Sequence, residues 1–268
     1  MRIATWNVNS LKARLGKVEE WLEIAKPDVL CMQETKMADA AFPALAFHGL
    51  GYESVHHGNG RWNGVAILSR VGLEDAHPGF SGEELSDIEE CRFLSARCGG
   101  VRVASVYVPN GRSVGSEHYE AKLEWLERLR LDLAEHADPS DQIALCGDFN
   151  IAPEDRDVFD PAAFVGATHV SEPEREALRR IEEWGLEDGF RRVYPGADRL
   201  YSWWDYRAGD FHKHRGMRID LLLLSAALAD KVTYALIDRE ARKGMGSDKP
   251  PSDHAPVFVD VAIGPASA

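Results

Sequence analysis

Apolar runs of strand length recur from one end of this chain to the other, with segments of helical periodicity between them. The runs are Ile3 to Trp6, Val29 to Met32, Val65 to Leu68, Val101 to Val108, Ile143 to Cys146, Ile219 to Leu224, Val232 to Ile237 and Val257 to Ile263. Val101 to Tyr107 alternates, as a strand with one wetter face does. Leu145-Cys146 and Leu221 to Leu224 are apolar at successive positions, so both faces need cover and these strands belong at the centre of a sheet. Leu15, Val18, Leu22 and Ala25 fall on one stripe of a helix over Leu11 to Ala25, ending just before Pro27. Leu123, Leu126, Leu129 and Leu133 do the same over Ser116 to Ala137, with Ser116 as N-cap. A third helix is predicted over Glu174 to Gly185, terminated by glycine. Strands and helices alternate without a Pro/Gly/Ser-rich linker, which predicts a single α/β domain over 1–263 and a short tail at 264–268. The two halves share a similar order of elements, with no sequence repeat. Asp75 to Glu90, Pro153 to Val170 and Ala208 to Arg215 read as long loops suited to substrate contact.

Composition narrows the function. The 268 residues, 44% of them hydrophobic and 28% charged, describe a soluble chain with ample material for a core. The longest apolar run, Leu221 to Ala229, is interrupted by Ser225 and too short to span a bilayer. Met1 to Asn7 reads as a strand rather than a signal peptide. Cys31, Cys91, Cys98 and Cys146 form no Cys-x-x-Cys pair, so free thiols and a cytoplasmic location are expected. The net charge of −13 argues globally against a nucleic-acid binder and fits a site that concentrates divalent cations. Locally, Arg191, Arg192, Arg199, Arg207, Lys213, Arg215 and Arg218 form a basic stretch opposed only by Asp198, Asp205 and Asp210. Arg239, Arg242, Lys243 and Lys249 form another. Either group could equally be a solvated face.

Polar clusters stand at the ends of the strand-like runs. Glu34, after Val29 to Gln33, is suited to hold a hard cation such as Mg²⁺, or simply to cap the next segment. Asp148 and Asn150 lie two apart in Gly147-Asp-Phe-Asn150. On an extended chain they point the same way, with Phe149 opposite; an Asx-turn is the competing reading. Asp148 is suited to general acid–base work, and Asn150 to steadying an oxyanion or water. Asn7 either caps the following helix or faces the site while Asn9 or Ser10 does the capping. Tyr107 is a hydroxyl donor to a phosphate oxygen or an amphipathic core residue. Asp220, inside an apolar run, needs a partner: His254, whose tautomer it would fix, or Arg218 or Arg215. Prolines at 250, 251 and 256 stiffen the backbone around Asp253-His254. The sequence carries no serine or cysteine nucleophile motif, no Gly-x-Gly-x-x-Gly and no P-loop. With Glu34, Asn7 and Asp253 around a cation, the natural chemistry is metal-assisted attack of water on a phosphate ester.

Thr5-Trp-Asn-Val-Asn9, Gln33-Glu-Thr-Lys36, Tyr107-Val-Pro-Asn-Gly111, Gly147-Asp-Phe-Asn150, Arg218-Ile-Asp220 and Ser252-Asp-His254 occur in the order and spacing of the exonuclease III family. From Met1 to about Val261 the chain resembles this bacterial branch of the abasic-site endonucleases, within the endonuclease/exonuclease/phosphatase superfamily. The discriminating block is Tyr201-Ser-Trp-Trp-Asp-Tyr-Arg207 followed by Arg215 to Asp220, which the superfamily's lipid and inositol phosphatases lack. The resemblance implies a four-layer α/β sandwich, two mixed sheets face to face with helices outside. It implies a monomeric, cytoplasmic DNA-repair enzyme acting on double-stranded DNA at 3′ ends and abasic sites, with Mg²⁺ as cofactor and Mn²⁺ as substitute. Glu34 would be the principal ligand, with Asn7 and Asp253 nearby and Asp148, Asn150 and His254 bordering the ion. Asp148 would orient or deprotonate water or protonate the leaving oxygen. Asn150 and Tyr107 would hold the phosphate, and His254, paired with Asp220, would contact it or act as base. Trp203, Met217 and Ile219 would form an apolar pocket for a base-free sugar. Arg215 would bind substrate within a phosphate-tracking face from Arg191 to Arg218. A phosphatase of lipid or inositol head groups and a non-catalytic DNA-binding module are the rival readings.

Overall fold

The computed structural model describes residues 1–82, 90–243 and 250–263. Among them, two six-stranded sheets carry the fold. The first takes the order β11-β12-β1-β2-β4-β3, built from β1 (Arg2–Asn7), β2 (Val29–Gln33), β3 (Glu53–His57), β4 (Val65–Ser69), β11 (Val232–Ile237) and β12 (Val257–Val261). The second takes the order β5-β6-β7-β8-β10-β9, from β5 (Glu74–Pro78), β6 (Phe93–Cys98), β7 (Val101–Tyr107), β8 (Ile143–Asp148), β9 (Leu186–Asp188) and β10 (Asp220–Ser225). Each sheet has one parallel pair at its centre, β1 with β2 and β7 with β8; its other pairings are antiparallel. Helix α1 (Leu11–Ala25) joins the first parallel pair and α3 (Glu117–His136) the second, so the echo between the halves is a repeated β-α-β unit.

Side-chain alternation sorts the apolar runs into layers. Ile3, Val29, Cys31, Val65 and Ile67 meet Leu94, Ala96, Val103, Ala144, Cys146, Leu222 and Leu224 between the sheets. Their neighbours in sequence face outward. Ala4, Leu30, Met32, Ala66 and Leu68 pack under α1 and α2 (Ala44–Gly49). Ala104, Leu145, Leu221 and Leu223 pack under α3 and α4 (Glu172–Glu183). The result is the expected four-layer sandwich. It also explains why the central strands read as unbroken apolar runs, since both faces are covered. β7 departs from the half-wet strand its alternation suggested: Ser105 is fully buried, its hydroxyl donating to the Met32 carbonyl at 2.9 Å and accepting from Gln33 Nε2 at 3.1 Å across the sheets.

The sequence missed four strands: β3 and β5, edge strands with half-exposed or exposed polar faces, the three-residue edge strand β9, and β6, an interior strand whose Phe93-Leu-Ser-Ala-Arg-Cys98 mixes polar residues into a largely buried run. The stretch from Asp75 is therefore partly strand, while residues 83–89 of that expected loop lie outside the described residues, as does the 264–268 tail. α1 covers its predicted span. Ser116 caps α3 by accepting the Tyr119 N–H at 3.2 Å. The buried stripe of α3 is Tyr119, Lys122, Leu126, Leu129 and Leu133, so a lysine takes the place expected of Leu123. The four cysteines are free and buried. Among the described residues no helix is long and apolar enough to cross a membrane.

The basic stretch divides: Arg218 is buried and Arg191 half-buried, while Arg192, Arg199, Arg207, Lys213 and Arg215 are exposed. Arg218, 1% exposed, is bound by Asp157 at 2.7 Å and Asp188 at 2.5 Å, and Arg191 pairs with the same Asp157. Arg192 pairs with Glu187 and Asp230, and Arg207 with Asp205. Arg218 and Arg191 are thus internal anchors of the loops around Asp157, and only the exposed members of the stretch are left to face a phosphate backbone. Burial alone would raise the Asp157 carboxyl, but Arg218 and Arg191 outweigh it and hold it below the usual range. Its contribution to stability is thus fully present above about pH 4 and lost as pH falls through the depressed folded value. Asp157→Asn leaves the Arg218 and Arg191 guanidinium groups with Asp188 as the one remaining carboxylate between them and is expected to destabilise by about 3–5 kcal/mol at neutral pH. Urea denaturation would measure this, and an unchanged midpoint would refute it.

Candidate active site

The edge at which β1, β2, β7 and β8 end carries the polar residues. Tyr107, Asp148 and Asp220 stand on one rung of the second sheet, since Tyr107 registers with Asp148 and Asp148 with Asp220. Close approach of β7 and β8 fixes this rung. A Cβ on Gly147 would fall 1.8 Å from the Val106 carbonyl oxygen, so only glycine fits. In the first sheet, Asn7 registers with Gln33, one residue before Glu34. Glu34 and Lys36 both take left-handed backbone, with φ of 52° and 53°, which ends β2 and turns the carboxylate aside. Backbone bonds from Ser10 N to Glu34 O at 2.7 Å and from Thr35 N to Gly64 O at 3.1 Å hold the turn. The Thr35 hydroxyl, 2.8 Å from His56 Nε2, with Asp39 on Nδ1 at 2.7 Å, anchors it from below.

Asn7, fully buried, joins the two sheets. Its amide nitrogen donates to Glu34 Oε1 and to Asp148 Oδ2, both at 2.9 Å. Asn9 does not cap α1. Its amide donates to Asp253 Oδ1 at 2.9 Å and its oxygen accepts from Lys36 Nζ at 2.7 Å, while Lys36 also pairs with Glu34 at 2.7 Å. Ser10 holds the N-cap position without a side-chain cap bond. Asp148 and Asn150 share a side by a different route from the one expected. Asn150 has a φ of 52°, and its N–H donates to Asp148 Oδ1 at 2.9 Å, an Asx-turn that is part of the site rather than an alternative to it. Phe149 is buried as expected.

Asp220 selects His254 over Arg218 or Arg215. His254 Nδ1–H donates to its carboxylate at 2.9 and 3.1 Å, and Ser202 Oγ donates at 2.6 Å. His254 Nε2 then faces Asp148 Oδ2 at 3.8 Å. Burial would lower this imidazole, but Asp220 and Asp148 overcome it and raise it to about 10. Burial raises Asp148 to about 7, with His254 and Asn7 opposing and Asp220 and Glu34 adding. Burial would also raise Glu34, yet Lys36 and the Asn7 amide leave it lowered. Tyr107 is pushed well up by burial and by Glu34 and Asp148, so its hydroxyl stays a donor.

A pocket of about 190 Å³ collects Glu34, Tyr107, Asp148, Asn150, Asp253 and His254 with Trp203, Met217 and Ile219. Trp203 Nε1 donates to Asp253 Oδ2 at 3.1 Å. Arg215 is not in the pocket wall; its guanidinium lies 6.0 Å from the Phe159 ring centre. Asn7 and Asp220 stand behind the wall as supports. Asn110 and His169 also line the pocket, the first as the end of the Tyr107 to Asn110 cluster, the second not singled out from sequence. Asn110 sat within a quoted motif and His169 within a loop marked for substrate contact, but nothing in composition distinguished the histidine. A larger cleft of about 530 Å³ shares Asn110 and is lined by Arg92, Arg112, His118, Trp125 and Arg128, with Glu90 and Glu124.

Ligand atoms of Glu34, Asp148 and His254 lie within 4.8 Å of one another. Two carboxylates converging beside a single imidazole suit a hard divalent cation, which prefers oxygen donors. The Asn7 amide N–H groups hold both carboxylates in place, which makes Asn7 a support rather than a ligand through that atom.

The profile of the Endonuclease/Exonuclease/phosphatase family matches residues 4–254. Exodeoxyribonuclease III of Haemophilus influenzae is 33% identical, over 97% of this chain and 99% of that protein. An AP endonuclease from Archaeoglobus fulgidus superposes with a TM-score of 0.92 at 38% identity, covering 98% of this chain and all of that one. A 3′ phosphatase, NExo, from Neisseria bound to product DNA hairpin superposes with a TM-score of 0.89 at 37% identity, covering 98% and 100%. The motifs, the twin-sheet sandwich and the convergence of Glu34, Asp148 and His254 thus have one common account: the chain belongs to the endonuclease/exonuclease/phosphatase family, in its exodeoxyribonuclease III branch.

Proposed function

We propose that this protein is a Mg²⁺-dependent DNA-repair phosphodiesterase, acting on duplex DNA to trim or clean 3′ ends and to cut beside abasic sites. The observation that carries the reading is the buried row Asp220–His254–Asp148 beside Glu34 at the foot of a pocket with an apolar wall. The exodeoxyribonuclease, AP endonuclease and 3′ phosphatase relatives support the substrate class. Glu34 would be the principal holder of the ion, with Asp148, Asn150, Asp253 and the His254 edge bordering it, and Mn²⁺ would substitute. A bound divalent cation supplies Lewis-acid polarisation of a phosphate oxygen and lowers the proton affinity of nearby carboxylates.

The residues divide the remaining work. His254, locked by Asp220 through Nδ1, turns Nε2 toward Asp148 and the site of the scissile phosphate, where Nε2–H would donate to a phosphate oxygen. Asp148, pinned by Asn7 and Asn150, is left to orient and deprotonate water or to protonate the leaving oxygen. Tyr107 and Asn150 donate to phosphate oxygens as charge builds. Trp203, Met217 and Ile219 take the apolar face of a sugar, and the arginine-lined cleft beyond Asn110 takes part of the strand. In this reading residues 1–263 act as one monomeric cytoplasmic domain.

Three labelled duplexes, with an abasic analogue, a recessed 3′ end and a 3′-phosphate, test the proposal beside a soluble inositol phosphate. Mg²⁺-dependent turnover of at least one duplex, with the inositol phosphate slower by at least about 10³-fold, is expected. Preferential turnover of the small ester would overturn the reading.

A further inference from the structure

A lysine and a glutamate are buried together beneath the pocket, neither side chain exposed. Lys122 lies on the apolar stripe of α3, and Glu174 in the first turn of α4. Lys122 Nζ donates to Glu174 Oε1, to the Asn150 carbonyl at 2.7 Å and to the Asn110 carbonyl at 3.4 Å. The same Glu174 oxygen accepts the Thr168 hydroxyl at 2.7 Å and the His169 N–H at 3.0 Å. Its other oxygen accepts the Ser171 N–H and hydroxyl, closing the capping box of α4. One ion pair therefore grips three separate segments, after β7, after β8 and before α4. Each contributes one residue to the pocket: Asn110, Asn150 and His169.

These three residues also touch each other. Asn110 Nδ2 donates to Asn150 Oδ1 at 3.3 Å, and His169 Nδ1 to the Asn150 carbonyl at 2.6 Å. Asn150 and His169 both hold left-handed backbone, with φ of 52° and 76°. Non-glycine residues keep such conformations only where the surroundings over-determine them. Packing beneath is tight: a Cβ on Gly111 would stand 3.0 Å from Lys122 Cδ and 3.2 Å from Thr168 Oγ1. As a stabilising device a buried ion pair is a poor choice, because an apolar pair of similar volume serves as well or better. What an apolar pair cannot do is fix carbonyl groups and N–H groups from three segments at once.

We propose that Lys122 and Glu174 are positioning residues that hold Asn110, Asn150 and His169 in register with Asp148 for attack on the phosphate. The proposal rests on the nuclease reading. It is tested with Lys122→Met/Glu174→Gln, which removes both charges together, and with the near-isosteric Thr168→Val, which removes only the hydroxyl link. In the double variant the melting temperature, duplex dissociation constant and Mn²⁺ binding (followed by paramagnetic resonance) are expected to stay near parental. The kcat is expected to fall by about 10–100-fold, as a displacement approaching 1 Å does. Thr168→Val is expected to lower kcat by about threefold or more at unchanged KM, and it decides the matter should the double variant not fold. Parental kcat in Thr168→Val or in a folded double variant would reduce the pair to a structural plug. Side-chain amide NMR resonances of Asn110 and Asn150 read positioning without turnover. Parental positions in the variants overturn this proposal even if the parental protein is inert on DNA, whereas inertness itself counts only against the nuclease reading.

Discussion

Asp148→Asn is expected to bind duplex DNA as tightly as the parental protein and to turn it over about 10³–10⁴-fold more slowly. The substitution is nearly isosteric, so the rung shared with Tyr107 and Asp220 and the Asx-turn to Asn150 N can persist. What disappears is the carboxylate that accepts a proton and carries charge into the transition state. A loss of that size corresponds to about 4–5.5 kcal/mol of barrier. Its position makes Asp148 the most consequential side chain here: fully enclosed, opposite His254 Nε2 and braced by the Asn7 amide. Single-turnover rates alongside gel-shift affinities separate the two effects, because an interaction made only in the transition state lowers kcat without weakening binding. A variant within tenfold of the parental rate would return Asp148 to the status of a turn residue.

Glu34→Gln is expected to raise the Mg²⁺ concentration for half-maximal rate by about tenfold or more and to cut the rate at the parental optimum by about 10²-fold. Excess chelator should abolish activity in both proteins. The amide keeps a contact with Asn7 but leaves Lys36 with a neutral partner, so one acid is lost from the cluster formed with Asp148 and His254. Direct Mn²⁺ binding, measured by calorimetry without DNA, distinguishes a lost ligand from a damaged catalytic group. Full cleavage in chelator, or an unchanged Mn²⁺ affinity in the variant, would remove Glu34 from the metal role.

Much of this was legible in the amino-acid order, for identifiable reasons. Strands covered on both faces must be apolar throughout, which exposed β1, β2, β4, β8 and β10 and pointed to one α/β domain, while the two-sheet sandwich followed from the resemblance of the motifs to the exonuclease III family. Local order also placed Glu34 and Asp148 at strand ends, and Asp220 at the start of an apolar run that could not hide an unpaired carboxylate. Edge strands β3 and β5, with wet polar faces, and the three-residue β9 gave no such signal, and β6 was hidden by the Ser95 and Arg97 that interrupt its apolar positions.

What only the folded chain decided were choices among partners far apart in sequence. Asp220 could have paired with an arginine two residues away and instead took His254, because Arg218 points to the Asp157–Asp188 side. Asn9 looked like a helix cap and became the bridge between Lys36 and Asp253. His169 and Lys122 had no local mark at all; their roles come from three segments meeting over one buried ammonium. Periodicity and strand-end chemistry are written in neighbouring residues, so sequence suffices for them. Which of several chemically adequate donors meets a given carboxylate depends on distances through space, and those exist only once both sheets have closed on each other.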